Sequence, residues 1–238
     1  MAPHHLYFKN VITVHNGIRL IDKANFTLKS GEILGIIDAA GSGKTVLIET
    51  ILGYRTFNSG DILADDISIL EIPDLYKMKV RGVLAFPKFP KDHSGFQMMT
   101  AYADQSGILD RNESKRRIHN LVEILKMGMF IYGSIDHYSY FQKLLLTLAL
   151  SLINKPQFLV VDNCVSNLTE SQILDLKIIL SDLTTNKTLG IAVASSYHKL
   201  IKLISTRTLI FQGGKLTNES NPSKNAPKIG QEKIVISY

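Results

Sequence analysis

The chain has 238 residues, 45% of them apolar, which suits one large domain with an internal insertion and excludes a mostly disordered chain. Its 27 Lys and Arg against 21 Asp and Glu give a formal net charge of +6, favouring an acidic ligand or surface; the basic residues are scattered apart from Lys115-Arg116-Arg117, so no nucleic-acid partner is expected. A single cysteine, Cys164, excludes an internal disulfide and fits a reducing compartment. In chain order, residues 6–14 and 17–28 alternate apolar and polar side chains around Asn16-Gly17, which predicts an antiparallel edge hairpin. A buried strand follows at 32–37, then a helix from Val46 onward, a polar turn at 58–61, a short strand at Ile62-Leu63 and another strand over 81–86. Pro87 and Pro90 then break regular structure.

Residues 91–155 read mainly as helical. Ile118, Leu121, Val122 and Leu125 share one face, with Asn112 as candidate cap and Gly128 as stop; Phe141, Leu144, Leu145, Leu148 and Leu152 repeat the pattern before Pro156. Buried strands are expected at 158–161, 189–194 and 208–211. Between the first two, Thr169 and Gln172 form a candidate capping box for a helix burying Ile173, Leu176, Leu180 and Leu183. Strands alternating with helices predict an α/β fold with a mainly parallel sheet, an N-terminal antiparallel β-subdomain and an inserted helical subdomain. From 217 to 238 the chain turns polar and reads as a linker and tail, with residues 231–238 as a candidate last edge strand. The N-terminal residues carry no apolar signal region, so no secretion is expected, and the apolar stretch 144–153 is far short of the roughly 20 residues of a spanning helix.

The run Gly41-Ser42-Gly43-Lys44-Thr45, between the strand at 32–37 and the apolar Val46-Leu47-Ile48, reads as a phosphate-binding loop of a P-loop NTPase core. Closely spaced glycines let backbone N–H groups cradle an anion, and the following helix adds the positive end of its dipole. Lys44 would reach the terminal phosphates, and the Thr45 hydroxyl would hold Mg²⁺. The usual pattern opens with a glycine where this chain has Asp38, whose carboxylate either repels phosphate or pairs with Lys44. Asp162, after the apolar run 158–161, is placed either to hold Mg²⁺ or simply to cap the strand-to-loop turn.

Joined by the helical insertion, these pieces resemble the nucleotide-binding domain of ATP-binding cassette (ABC) transporters. The resemblance lies in Gly31 to Ile36, Ser59-Gly60-Asp61-Ile62, the approach Asn154 to Asp162, and Gly190 to Ser196 followed by Arg207 and Gly214-Lys215-Leu216. This last stretch is similar to the second cassette of simple-sugar and nucleoside importers. It implies a nucleotide-binding domain over 1–216, with its helical subdomain at about 91–155. Also implied are ATP or ADP with Mg²⁺ as ligands, a second nucleotide-binding domain and transmembrane permease subunits as partners, and a cytoplasmic, membrane-peripheral location. The nucleotide site carried over is His15, Ala40, Gly41, Ser42, Gly43, Lys44, Thr45 and Val46, with Thr45 and Asp162 toward the metal. His15, where the family has an aromatic that stacks on adenine, is equally a plain turn residue.

The same resemblance exposes departures. The family signature Leu-Ser-Gly-Gly-Gln would lie at Tyr138-Ser139-Tyr140-Phe141-Gln142, so aromatics replace both glycines that let backbone approach a partner's phosphate. The water-polarising glutamate is Asn163, the switch histidine is Tyr197, the cross-dimer aspartate is Thr169, and no glutamine stands near Phe86-Pro87-Lys88. An amide cannot take a proton from water, so general-base help, on the order of 10²–10⁴-fold, is expected to be missing. Three readings follow: a subunit that binds nucleotide but hydrolyses it poorly, a regulatory or structural protein with vestigial binding, and an ATPase using another base such as Asp38, Asp61 or a partner residue. Phe89, Phe96, Met98 and Met99 read as either a docking face or core, with at least half of them assigned to core.

Overall fold

The computed structural model describes residues 2–38, 43–84, 86, 88–107, 110–162 and 167–218. A four-stranded antiparallel sheet is built from β1 (His5–His15), β2 (Ile18–Lys29), β4 (Ser59–Ala64) and β5 (Ile67–Ser68), in the order β2-β1-β4-β5. A six-stranded sheet contains β3 (Ile33–Asp38), β6 (Val80–Val83), β7 (Phe158–Asp162), β8 (Gly190–Ser195), β9 (Arg207–Gln212) and β10 (Lys215–Asn218), in the order β10-β9-β3-β8-β7-β6. All its pairings are parallel except that of β10 with β9. This is the expected α/β architecture with a mainly parallel sheet and an antiparallel N-terminal unit.

Side-chain alternation divides the core in two. Leu34 and Ile36 of β3, Phe158 and Val160 of β7, and Ala192 and Ala194 of β8 face one way. There they meet helix α1 (Lys44–Ile51) through Leu47, Ile48 and Ile51, together with Leu6, Phe8 and Ile21 of the antiparallel sheet. Each buried Leu or Ile contributes about 1.5–3 kcal/mol, so α1 is held by its packing rather than by its eight residues' propensity. The opposite face, with Ile33, Ile37, Leu159, Val161, Ile191 and Val193, packs on α6 (Glu170–Thr185), α7 (His198–Ile204) and the helical subdomain. Gly35 is the close-contact point: a Cβ there would collide with Ile201 of α7 and stand 2.8 Å from Ser205 Oγ.

The helical insertion consists of α3 (Gly95–Gln105), α4 (Arg111–Ile124), two short 3₁₀ turns and α5 (Tyr140–Leu152). A further helix, α2 (Pro73–Lys79), precedes β6. Several local expectations are corrected. The strand expected over 81–86 ends at Val83, because its partner β7 ends one residue after Val161, which pairs with Val83. Helix α4 is capped by Asp110, whose carboxylate accepts the Asn112 N–H at 2.8 Å; Asn112 itself sits in the first turn. That helix stops at Ile124, with Lys126 already in the left-handed region at φ 52°, and Gly128 opens a 3₁₀ turn. The capping box of Thr169 and Gln172 is present, and Ile179 and Thr184 complete the buried face of α6 while Leu183 is only partly buried. Thr217 and Asn218, expected to begin a polar tail, pair with Ile210 and Leu209 in the β9–β10 hairpin. The strand expected at 231–238 lies outside the described residues.

Candidate functional site

The site lies at the carboxyl ends of β3 and β7, where α1 begins. Asp38 ends β3 and Asp162 ends β7, each on even-numbered parity with the apolar residues that face α1. Both carboxylates therefore leave the same face of the sheet. Between those strands runs β8, whose Ala194 pairs with both Asp162 and Ile36 and puts only a methyl group on that face. With neighbouring strands about 4.8 Å apart, β3 and β7 stand about 10 Å apart across β8, and the two side chains reach toward each other over Ala194.

Lys44, the first residue of α1, meets both carboxylates. Its Nζ stands 3.4 Å from Asp38 Oδ1 and 3.4 Å from Asp162 Oδ1, and all three residues are 5% exposed. Of the two alternatives for Asp38, pairing with Lys44 is the one observed. Two carboxylates share one ammonium, so the cluster is formally net negative, and at this depth it is weakly screened by salt. Gly43 precedes Lys44 at φ 89°, a left-handed conformation that glycine adopts without penalty. Among the described residues α1 has no side-chain cap and no acidic residue in its first turn, so the positive end of its dipole suits an anionic ligand. Thr45 is exposed in that first turn and Val46 is half-buried, its N–H bonded to the Gly43 carbonyl at 3.0 Å. Ala40, Gly41 and Ser42 lie outside the described residues, as do Asn163 and Cys164.

His15 is exposed at the tip of the β1–β2 hairpin, paired with Ile18. This hairpin reaches the loop through Leu20, whose carbonyl lies 3.8 Å from where a Cβ on Gly43 would stand. Tyr197, 51% exposed, precedes α7, and its N–H is bonded to Ser195 Oγ at 3.1 Å. With Glu170, Leu174 and Leu203 it lines an open cleft of about 260 Å³.

At the start of α5 the chain closes on itself. Ser139 Oγ accepts the Gln142 N–H at 3.2 Å and Gln142 Oε1 accepts the Ser139 N–H at 2.9 Å. The Tyr140 ring packs on Phe86 with centroids 4.7 Å apart, and Phe141 is partly buried. Tyr138 is buried; its hydroxyl donates to the Phe130 carbonyl at 2.8 Å and accepts the Gly95 N–H at 3.2 Å. Thr169, at the other cross-dimer position, caps α6. Met99 is fully buried, and Phe89, Phe96 and Met98 pack partly buried on the same core. Sequence reasoning missed Ala194; the parity of β3, β7 and β8 was the signal that marks it as the spacer.

The arrangement fits a nucleotide with Mg²⁺. Among the described residues no group of three or more His, Cys, Asp or Glu could hold a metal alone. Magnesium commonly takes one or two protein oxygens and completes its shell with phosphate and water; Thr45 and Asp162 are the residues that would supply them here. When bound, the metal would neutralise phosphate charge; Lys44 and the α1 amides would orient the phosphates.

A parallel sheet with a glycine–lysine junction at one strand end, a buried carboxylate at another and a helical insertion defines an α/β nucleotide-binding fold of the P-loop kind. The chain belongs to the ABC transporter family, whose model matches residues 21–166, more than half of its length. It is 26% identical over 216 residues to the uncharacterized ABC transporter ATP-binding protein YhcH of Bacillus subtilis, covering 91% of this chain and 70% of that protein. It is 24% identical over 213 residues to the methionine import ATP-binding protein MetN of Helicobacter acinonychis, covering 87% of this chain and 65% of that one. The chain thus spans about two thirds of the length of these relatives. Among solved structures, CbiO1 of Clostridium perfringens, part of the ABC transporter complex CbiONQ, superposes with a TM-score of 0.80 at 18% identity, covering 89% of this chain and 86% of that one. The cassette MJ0796, in a dimeric post-hydrolysis state bound to ADP and Pi, superposes at 0.74 with 16% identity, covering 89% and 96%. At these identities the structural likeness establishes the fold. No helix among the described residues is long and apolar enough to cross a membrane.

Proposed function

We propose that this chain is the Mg·ATP-binding subunit of an ABC-type transporter complex, and that by itself it binds ATP or ADP but hydrolyses ATP slowly or not at all. The observation that carries the reading is Lys44 held between two strand-end carboxylates at the uncapped start of α1. Nucleotide would lie along 40–46, with His15 available to stack on the base and Thr45 and Asp162 toward the metal. Slow turnover is supported by Asn163 at the general-base position, Tyr197 at the switch position and the aromatics Tyr140 and Phe141 at the signature. The partners in this reading are a second nucleotide-binding domain, identical or different, and transmembrane permease subunits. The chain would then be cytoplasmic and peripheral to the membrane. Residues 190–196 with 207 and 214–216 support a kinship with the second cassette of simple-sugar and nucleoside importers. Domain limits of 1–216 and 217–238 belong to the same proposal.

Asp38 favours a second reading, a regulatory or structural ABC-like protein with vestigial nucleotide binding. Calorimetric titration of the pure chain with Mg·ATP, alongside a turnover assay, separates the two. Micromolar-range binding with background turnover is the expected result. Absent binding selects the second reading, and robust turnover by the isolated chain sinks the first.

A further inference from the structure

The geometry points to Asp38 as a specificity residue that makes the divalent cation obligatory, so that this site takes the magnesium complex of a nucleotide and discriminates against the metal-free nucleotide. This inference rests on the nucleotide-binding reading above.

The usual loop pattern has glycine at this position, which leaves the lysine one strand-end carboxylate as neighbour. Here Lys44 has two, Asp38 Oδ1 and Asp162 Oδ1, each at 3.4 Å, and all three side chains are no more than 8% exposed. Their parity on β3 and β7 aims both carboxylates at the one gap that Ala194 leaves open. Turning Asp38 away from Lys44 is costly, because its side chain is 7% exposed and would stay buried while losing that ammonium. Water and salt screen such a cluster poorly, so its net negative formal charge is felt by any anion entering beside α1.

A metal-free triphosphate brings only negative charge to that cluster. Lys44 would have to leave both carboxylates to meet it, and a third anion would then face Asp38 and Asp162 without that ammonium between them. With a divalent cation beside Asp162 and Thr45 the balance reverses. Asp162 and Thr45 would hold that cation, which would offset the Asp162 carboxylate and part of the phosphate charge, leaving Lys44 to turn to the phosphates while Asp38 still balances it. Asp38 thus penalises the metal-free ligand far more than the metal complex. A glycine at this place would leave a neutral Lys44–Asp162 pair and a much smaller difference.

The test is calorimetric titration of the full chain with ATP, once in excess MgCl₂ and once in EDTA, for the natural chain, Asp38→Asn and Asp38→Gly. Circular dichroism and thermal melts would verify that each is folded. The natural chain is expected to bind at least about tenfold more weakly in EDTA, a difference of about 1.4 kcal/mol. Either variant should bring the two affinities within about threefold of each other, mainly by improving binding in EDTA. Two variants of different size guard against a failure to fold, and the comparison within the natural chain needs neither. If the natural chain binds ATP equally well with and without Mg²⁺, the inference is overturned and the nucleotide-binding function stands. It is equally overturned if the gap persists in both variants. If the natural chain binds in neither condition while Asp38→Gly binds in both, Asp38 is a block rather than a selector. If no form binds at all, the nucleotide-binding reading itself falls.

Discussion

Two helix N-termini in this molecule, those of α1 and α5, are placed by the family resemblance to face phosphate, and they are built in opposite ways. α1 starts from a left-handed glycine with no side-chain cap, and its first residue, Lys44, is buried among carboxylates. α5 starts from Ser139, which shares a complete capping box with Gln142, and its first ring, Tyr140, packs at a tilt against Phe86. Among the described helices of eight residues or more, α3, α4, α5 and α6 all carry a side-chain cap and α1 does not. Anion binding at a helix start requires amide donors that the chain has not satisfied itself. By that criterion α1 suits the proposed ligand site, whereas α5 uses the Ser139 and Gln142 amides in its own capping box.

The sharpest way to break this contrast is Lys44→Ala. It should weaken Mg·ATP binding by more than about 100-fold, and removing the ammonium that pairs with both buried carboxylates should cost about 3–5 kcal/mol of stability. Calorimetry and urea unfolding measure the two effects; unchanged stability would mean that the cluster is not the buried ion network described. Adding Asp38→Asn to that variant should restore part of the stability and none of the affinity.

Reopening α5 is the reverse experiment. Tyr140→Gly and Phe141→Gly combined with Asn163→Glu should raise ATP turnover by about 10²-fold, the lower range of general-base assistance, while Asn163→Glu alone should gain far less. Equal turnover for the single and triple variants would show that the aromatics do not obstruct. Ser139→Ala should destabilise the chain by about 1 kcal/mol and leave nucleotide affinity unchanged, since that hydroxyl serves the helix and not a ligand. A loss of affinity in this variant would contradict the contrast directly.

The smallest effect is a control remote from both helix starts. Burial alone would raise the Asp65 carboxyl, but the His5 N–H at 2.9 Å, the His4 ring at 2.8 Å and the Lys79 ammonium at 3.4 Å outweigh it and hold its pKa below the usual value. A carboxylate depressed in the folded state stabilises above its unfolded pKa and loses that contribution as pH falls through the folded value. Asp65→Asn should therefore lower stability modestly at neutral pH, and the two chains should converge in acid. The left-handed φ of 54° at this residue is one that asparagine tolerates, so the comparison reports charge rather than strain. Unfolding midpoints across pH, with nucleotide affinity unaffected, provide the measurement.

Much of this was legible in the residues. Alternation around Asn16-Gly17 marked the hairpin, continuous apolar runs marked β3, β7 and β8, and the Thr169–Gln172 spacing marked the start of α6, because each signal is local and repeats with the period of its element. Boundaries were less legible where a partner decides them. Where β6 ends depends on where β7 ends, and β10 exists because Gly213-Gly214 turns Thr217 and Asn218 back onto β9. The cap of α4 moved from Asn112 to Asp110 because both residue types can accept the same kind of bond, and only the backbone conformation chooses between them.

The order of residues alone determined the ligand class and the departures from the family pattern. A glycine-rich run ending in lysine and threonine between a strand and a helix has few other uses, and replacements such as Tyr140 or Asn163 are visible as letters. Only the tertiary structure decided what Asp38 does. That it pairs with Lys44 turns on strand parity, on the single methyl of Ala194 between two strand ends and on burial. Those distances arise when residues far apart in the chain are packed side by side in one sheet.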